Sequence, residues 1–278
     1  MEFLEVVGKR RSIRWFKTWD QVPQEKIQRI LEVVRLTTCP GNLQPWRVVV
    51  IERDKVDPEL RDQLLACDNW QGAHTQAPVW IYFYADPQSA RPDTFASRTK
   101  ELVNVGALPN AYGWNAQSID AAIYHNETMP PGMAAINELL YGLPYEMSAS
   151  VAYAETVGAC AVATLAAFNE GLGACLHMIA APSKQDEAKR LLGLPEHFVP
   201  VWQLLVGYPA EDPDAGGVRP KLPFEQIFSY GKWGEPFPRD ERVVEELKAE
   251  GVPQPTGETK PNRFEELKFL ARMFGYPV

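Results

Sequence analysis

Residues 148–170 read SASVAYAETVGACAVATLAAFNE, and no other stretch restricts the fold so strongly. The segment is rich in alanine, which favours a helix. It is apolar nearly all round, with Glu155 and Glu170 as its only charges. A helix of that kind must be buried, either in a core or in an interface. GLGAC at 171–175 then supplies a glycine stop.

The rest of the chain has to cover that helix. QEKIQRILEVVRL at 24–36 places Ile27, Ile30, Leu31 and Val34 on one face, which predicts an amphipathic helix. Residues 2–9, DPELRDQLLAC and SKQDEAKRLLG read as further helices. WRVVVIE (46–52), PVWIYFYA (78–85) and FVPVWQLLVGY read as three strands, the second of them buried. TTCPGNLQP (37–45) breaks the chain between the second helix and the first strand.

Residues 86–147 are the least regular part, with helical pieces expected near 115–125 and 132–141. They concentrate Tyr112, Trp114, Tyr124, Tyr141 and Tyr145. The segment is either an irregular surface excursion or a lid whose aromatics shape a pocket; long ordered excursions often carry binding roles. On the lid reading, Tyr112, Trp114, Tyr124 and Tyr145 are the substrate-binding candidates. After Trp233 comes a polar, proline-rich tail and then an amphipathic helix, NRFEELKFLARMF. We therefore divide the chain into a domain over 1–234, including the 86–147 excursion, and an extension over 235–278.

The chain has 278 residues and a net charge of −8, so bulk nucleic-acid binding is not expected. No stretch reaches 18 uninterrupted apolar residues, so no membrane span is expected. Glu2 and Glu5 stand where a secretory leader would be basic. Cys39, Cys67, Cys160 and Cys175 form no CxxC pair and no metal-ligand spacing, which predicts reduced thiols, a cytoplasmic protein and no metal.

Against that acidic background, GKRRSIRWF at 8–16 packs four cations around one serine. Arginine forks match phosphate oxygens and a serine hydroxyl adds a donor. By themselves Arg10, Arg11, Ser12 and Arg14 read better as a solvated positive face at the end of a helix. VRPKLP adds Arg219 and Lys221, two residues apart in an extended stretch stiffened by Pro220 and Pro223, so two basic elements could converge on one anion. CPGNLQPW at 39–46 carries amides suited to the edge of a heteroaromatic ring, or is an ordinary loop. GLGACLHMI at 171–179 lacks the dinucleotide-binding spacing, but its extended backbone could offer N–H groups to a ligand.

In their order and spacing, RRSIR, NLQPW, GLGAC and RPKLP resemble the nitroreductase family of FMN-dependent oxidoreductases. The resemblance covers residues 2–85 and 148–230. It implies an α+β fold, a central β-sheet flanked by helices, with the long apolar helix at a homodimer interface. It implies FMN between the subunits, with Arg10, Arg11, Ser12, Arg14, Arg219 and Lys221 on the phosphate and ribityl chain. Thr38, Cys39, Pro40 and Asn42 of the partner would touch the flavin ring. Leu176, His177 and Met178 would run near the flavin N5, and Asn69 or Gln71 would reach the pyrimidine edge. The sequence departs from the family's usual pattern at LHMI, where a glycine is absent and a histidine intrudes. His177 is then either a proton donor or a residue whose backbone alone matters, and the second reading is preferred. Cys39 is read as a small residue beside the ring in preference to a redox thiol.

The implied activity passes electrons from NAD(P)H through the flavin to a nitroaromatic, quinone, halogenated phenol or activated alkene. No protein acid or base is required, because the flavin N5 carries the chemistry. The alternative is a flavin store or sensor without turnover.

Overall fold

A computed structural model describes residues 1–108, 115–121, 145–212, 219–252 and 263–277. Its centre is a four-stranded antiparallel sheet: β1 (Trp46–Glu52), β2 (Val79–Ala85), β3 (Gly173–His177) and β4 (Val199–Gly207), in the order β1-β2-β4-β3. The register sets Trp46 opposite Ala85, Val79 opposite Val206 and His177 opposite Gln203.

Helices cover both faces, which is why β2 is buried at all seven positions and reads as an unbroken apolar run. Successive side chains of a strand point to opposite faces, so β2 divides between two cores. Val79, Ile81, Phe83 and Ala85 pack with α2 (Gln24–Arg35) and with the long helix over Tyr145–Asn169. Trp80, Tyr82 and Tyr84 pack on the other face with α3 (Pro58–Cys67) and the helix over Pro182–Leu191. Between these run α4 (Gly72–Gln76), α5 (Pro92–Asn104) and α6 (Ala116–Asp120). The long helix is thus α7 and Pro182–Leu191 is α8. α9 (Phe224–Ile227), α10 (Glu241–Ala249) and α11 (Arg263–Met273) complete the described chain.

The long helix is where the sequence placed it. Its Ser148–Asn169 part is long and apolar enough to cross a membrane by length and composition. Here it lies on the sheet, with Ala152, Ala159, Cys160, Ala163 and Ala167 buried in the first core. Ala154, Val157, Gly158 and Ala161, at helical spacing, leave an exposed apolar stripe on its outer side.

Three expectations need correction. The sheet has a fourth strand, because GACLH pairs with β4 over its whole length. Its small, non-β-branched residues hide it in the sequence. The 86–147 segment is not an irregular excursion from its start, since α5 occupies 13 of its residues. The tail after Trp233 contains α10, nine residues with Asp240 as N-cap accepting from the Arg242 N–H. Tyr112, Trp114 and Tyr124 lie outside the described residues, as does the side chain of Tyr145, whose backbone begins α7. The 132–141 helix also falls outside them.

Candidate active site

The cationic segment leaves α1 (Phe3–Lys9) and runs beside β3. Ser12 forms a parallel bridge with Ala174, and the Ile13 N–H donates to the Ala174 carbonyl at 3.0 Å. Gly173 permits this approach, because a Cβ there would lie 2.9 Å from Ile13 side-chain atoms. Ile13 points into the second core, so alternation turns the exposed Ser12 and Arg14 the other way.

The four cationic candidates separate in role. Arg11 Nη1 donates to the carbonyls of Gly8 and Arg10 at 2.7 and 2.8 Å, which ties its side chain to the end of α1. Such capping of last-turn carbonyls by a cation is favourable in itself. Arg10 is half-buried, and burial, with Arg11 beside it, lowers its pKa. Among the described residues no carboxylate compensates Arg10. A partly desolvated guanidinium of that kind calls for an anion. The Cys175 thiol is pushed up by burial, with Arg14 and Arg10 both acting against that rise, so both cations lie near the middle of β3. Arg219 and Lys221 are exposed in the stretch before α9.

At the end of β3 lies a polar cluster that no local motif announces. Asp68 is buried immediately after α3. Its Oδ2 accepts from His177 Nε2 at 2.6 Å and from His74 Nδ1 at 3.0 Å. With His74 Nδ1–H committed to Asp68, Nε2 accepts from the Tyr82 hydroxyl at 3.2 Å. Burial alone would raise the Asp68 carboxyl, but the hydrogen bonds from His177 and His74 outweigh it and hold it below its ordinary value. Burial lowers His74, and burial pushes Tyr82 well up, so His74 stays neutral and Tyr82 stays protonated. Both imidazoles meet one carboxylate oxygen, and among the described residues no group of three such side chains is arranged to hold a metal ion.

The sequence could have offered His74 and Asp68 as six residues apart, but Asp68 and His177 are 109 apart and share no pattern. The structure therefore assigns the His177 side chain a partner, beyond the role of its backbone.

The turn after Asp68 is unusual. Asn69 and Trp70 both have left-handed backbones, φ 51° and 55°. The Trp70 N–H closes α3 by donating to the Leu65 carbonyl at 2.9 Å. Two successive non-glycine residues in this region cost about 1–3 kcal/mol each. The Asp68–His177 bond fixes this exposed turn beside the end of β3, where Leu176 and His177 are half-buried and Met178 is exposed.

The 38–42 turn is elsewhere. Cys39 packs against the first core, on the opposite face of the sheet from Asp68 and Tyr82. Gly41, φ 56°, sits where a Cβ would meet the Phe95 ring of α5 at 2.4 Å. Asn42 and Gln44 are also left-handed, and Cys39 Sγ accepts from the Gln44 N–H at 3.2 Å. Burial raises the Cys39 pKa, with Glu155 nearby adding to it, so the thiol is not activated as a thiolate. Thr38 and Pro40 are exposed. One chain thus assembles Arg10, Ser12, Arg14, Asn69 and Leu176–Met178, and holds Thr38, Cys39, Pro40 and Asn42 apart from them.

A small cleft of about 20 Å³ lies between Met178, Tyr82, Gln203 and Gln185 of α8. That is far below the roughly 300–1,000 Å³ of ordinary ligand pockets. The buried Gln203 Oε1 beside it has no hydrogen-bond partner.

A family model described as the nitroreductase family matches residues 7–208. An NADPH-dependent oxidoreductase of Staphylococcus haemolyticus is 35% identical over 227 residues, covering 81% of this chain and 71% of that protein. An NADH dehydrogenase of Thermus thermophilus is 28% identical over 221 residues, 79% of this chain and 91% of its own length. An NAD(P)H nitroreductase-like protein of Streptococcus pyogenes is 30% identical over 145 residues, and the chain spans 62% of its length. Among solved structures, a nitroreductase-like protein of Exiguobacterium sibiricum in complex with FMN superposes with a TM-score of 0.63 at 20% identity, covering 83% of this chain and 97% of that one.

Proposed function

The chain belongs to the nitroreductase family, and on that premise we propose that it is an FMN-dependent oxidoreductase drawing electrons from NAD(P)H. The observation that carries the reading is Arg10: a half-buried guanidinium with no carboxylate partner among the described residues, beside Arg14 and β3. That donor set fits a phosphate. FMN, when bound, would supply the electron transfer between NAD(P)H and an acceptor. The names of the relatives, which include NADH and NADPH oxidoreductases, support the same reading.

The chain's residues would divide the work as follows. Arg10, Ser12 and Arg14 hold the phosphate, with Arg219 and Lys221 reaching it from the stretch before α9. Arg11 fixes the end of α1 behind them. The main chain of Leu176–Met178 and the strained Asn69 turn flank the ring, and the Asp68–His177 bond keeps those two elements in register. Thr38, Cys39, Pro40 and Asn42 act from a second copy, since in their own chain they belong to the other face of the sheet. The exposed α7 stripe of Ala154, Val157, Gly158 and Ala161 offers the matching contact for a homodimer. The acceptor is a small aromatic or conjugated molecule, and the 86–147 segment sets its choice. The protein works in the cytoplasm with its four cysteines unpaired.

The test is direct. Purified protein should show a flavin absorbance that bleaches with NADH or NADPH under anaerobic conditions and returns on adding a quinone or nitroaromatic. Protein that neither carries nor binds FMN would overturn the proposal. Bleaching without recovery by any acceptor would replace the enzyme with a flavin store.

A further inference from the structure

The C-terminal helix and the loop after β4 meet the cationic segment from behind. Glu211 is 4% exposed. Its Oε1 accepts from the backbone N–H groups of Arg14, at 2.5 Å, and Trp15, at 3.1 Å. Its Oε2 accepts from Arg263 Nη2 at 2.6 Å. Arg263 Nη1 donates in turn to Glu266 Oε2 at 2.9 Å, one helical turn further along α11. Burial alone would lower the Arg263 pKa, yet the bonds from Glu211 and Glu266 hold it above its ordinary value.

Rings extend the same brace. The Trp15 ring packs at a tilt against Phe274, centroids 5.5 Å apart, and meets Tyr276 edge-on at 5.6 Å. The Tyr276 hydroxyl stands 2.7 Å from where a Cβ on Gly72 would be, next to the strained Asn69–Trp70 turn. One short C-terminal segment therefore touches both the cationic strip and the turn beside β3.

Glu211 has two effects that oppose each other. Its hydrogen bonds fix the backbone of Arg14 and Trp15, which orients the strip. Its charge lies near the same cations, since its field reaches the Cys175 thiol together with those of Arg14 and Arg10. An uncompensated carboxylate there would repel any phosphate bound by Arg10, Ser12 and Arg14.

We propose that Arg263 is a positioning residue for the phosphate site: it neutralises Glu211, so the carboxylate can pin the Arg14–Trp15 backbone without repelling the bound anion. The inference rests on the phosphate reading of the strip given above. It gives the 235–278 extension a task that the family resemblance did not suggest.

The experiment measures equilibrium binding of FMN and of riboflavin to the full-length flavin-free protein, as wild type, Arg263→Ala, Arg263→Lys, Glu211→Gln and the Arg263→Ala/Glu211→Gln pair. Riboflavin lacks the phosphate, so the ratio of the two affinities isolates the anion term. Arg263→Ala should weaken FMN about tenfold while riboflavin changes by less than about twofold. Arg263→Lys should keep most of the ratio. The double variant should regain it, because glutamine still accepts the Arg14 and Trp15 N–H bonds and carries no charge. A purely structural brace would lower both ligands together and would not be rescued by Glu211→Gln; either result overturns the proposal. Wild-type protein that binds FMN and riboflavin equally would instead overturn the phosphate reading itself, and the proposal with it.

Discussion

The two faces of the sheet use the same four strands for opposite purposes. On the α2–α7 face the buried groups are mostly small and apolar, and the buried threonines answer their own polarity. Thr156 and Thr164 each donate to the carbonyl one turn back at 2.8 Å. On the α3–α8 face, Tyr82, Asp68, His74 and His177 form one connected polar group under the strand ends. A polar group that completes its bonds inside its own helix demands nothing of its neighbours. A carboxylate shared by two histidines from different elements holds three segments in one arrangement. The first face packs without such cross-links, and the second ties three segments of the chain together.

The sharpest way to break this contrast is to remove one buried polar group from each face. Asp68→Ala strips two imidazoles of their common acceptor. It should cost about 3–5 kcal/mol of stability, as for other buried ionic groups that lose one partner. Thr164→Val, equally internal, should cost about 1 kcal/mol or less. Thermal and urea unfolding of the two variants gives both numbers. Equal losses would mean that the polar cluster has no structural privilege.

A charge on the outer side of α7 tests the other half of the comparison. Val157 is 36% exposed in the single chain, in a row with Ala154, Gly158 and Ala161. In a homodimer that buries this row, Val157→Arg sets a guanidinium in an apolar contact and should weaken association on the order of a hundredfold. Light scattering over a dilution series reads it. An unchanged mass would remove α7 from the interface.

Acid provides a third and smaller contrast. Asp68 has a lowered pKa, so its contribution is complete above the ordinary carboxylate range and is lost as pH falls through the lowered value. His74 is also lowered, by burial, so it stays neutral where the unfolded chain takes up a proton. Its contribution is complete above the ordinary imidazole range and is lost as pH falls through it. Both signs agree. Stability should be level above about pH 7 and drop by about 1–2 kcal/mol towards pH 5. His74→Gln should flatten that drop. Stability that rises on acidification would contradict the assigned protonation states.

What the sequence reveals about these faces follows from how local each signal is. β1, β2 and β4 announce themselves through runs of β-branched, aromatic and other apolar residues, and α2 through Ile27, Ile30 and Val34, because those patterns are written in adjacent residues. The α7 segment is legible for the same reason. β3 is not, because GACLH is short and its strand character comes from pairing with β4 and from Ile13 lying on Gly173. The cationic strip is visible as RRSIR, but the separate role of Arg11 depends on the carbonyls at the end of α1. The Asp68–His177 bond joins residues 109 apart, and the Arg263–Glu211 bond joins residues 52 apart. Neither pair has a periodicity to follow. In this chain the cationic strip is local and readable, and the groups that hold it and the turn beside β3 are distant and are not.

The smallest expected effect separates the structural from the orienting part of the polar face. Tyr82 is 2% exposed, and its hydroxyl is the outermost member of the Asp68–His74–Tyr82 row. Burial pushes its pKa well up, so it remains a donor at any ordinary pH. The donated proton suits the His74 tautomer that Asp68 sets: with Nδ1–H reaching Asp68, Nε2 is left to accept. Tyr82→Phe keeps the ring and its packing in the second core and removes only that donor. It should lower stability by about 1 kcal/mol, the usual net worth of one hydrogen bond. The more telling readout is nuclear magnetic resonance of the imidazole nitrogens. In wild type, His74 should show a protonated Nδ1 and an unprotonated Nε2. In Tyr82→Phe, the Asp68 bond still favours Nδ1–H, so the same tautomer should persist with a shifted Nε2 resonance. If the tautomer inverts, Tyr82 governs the row and Asp68 does not, and the carboxylate would lose its place as the centre of this face.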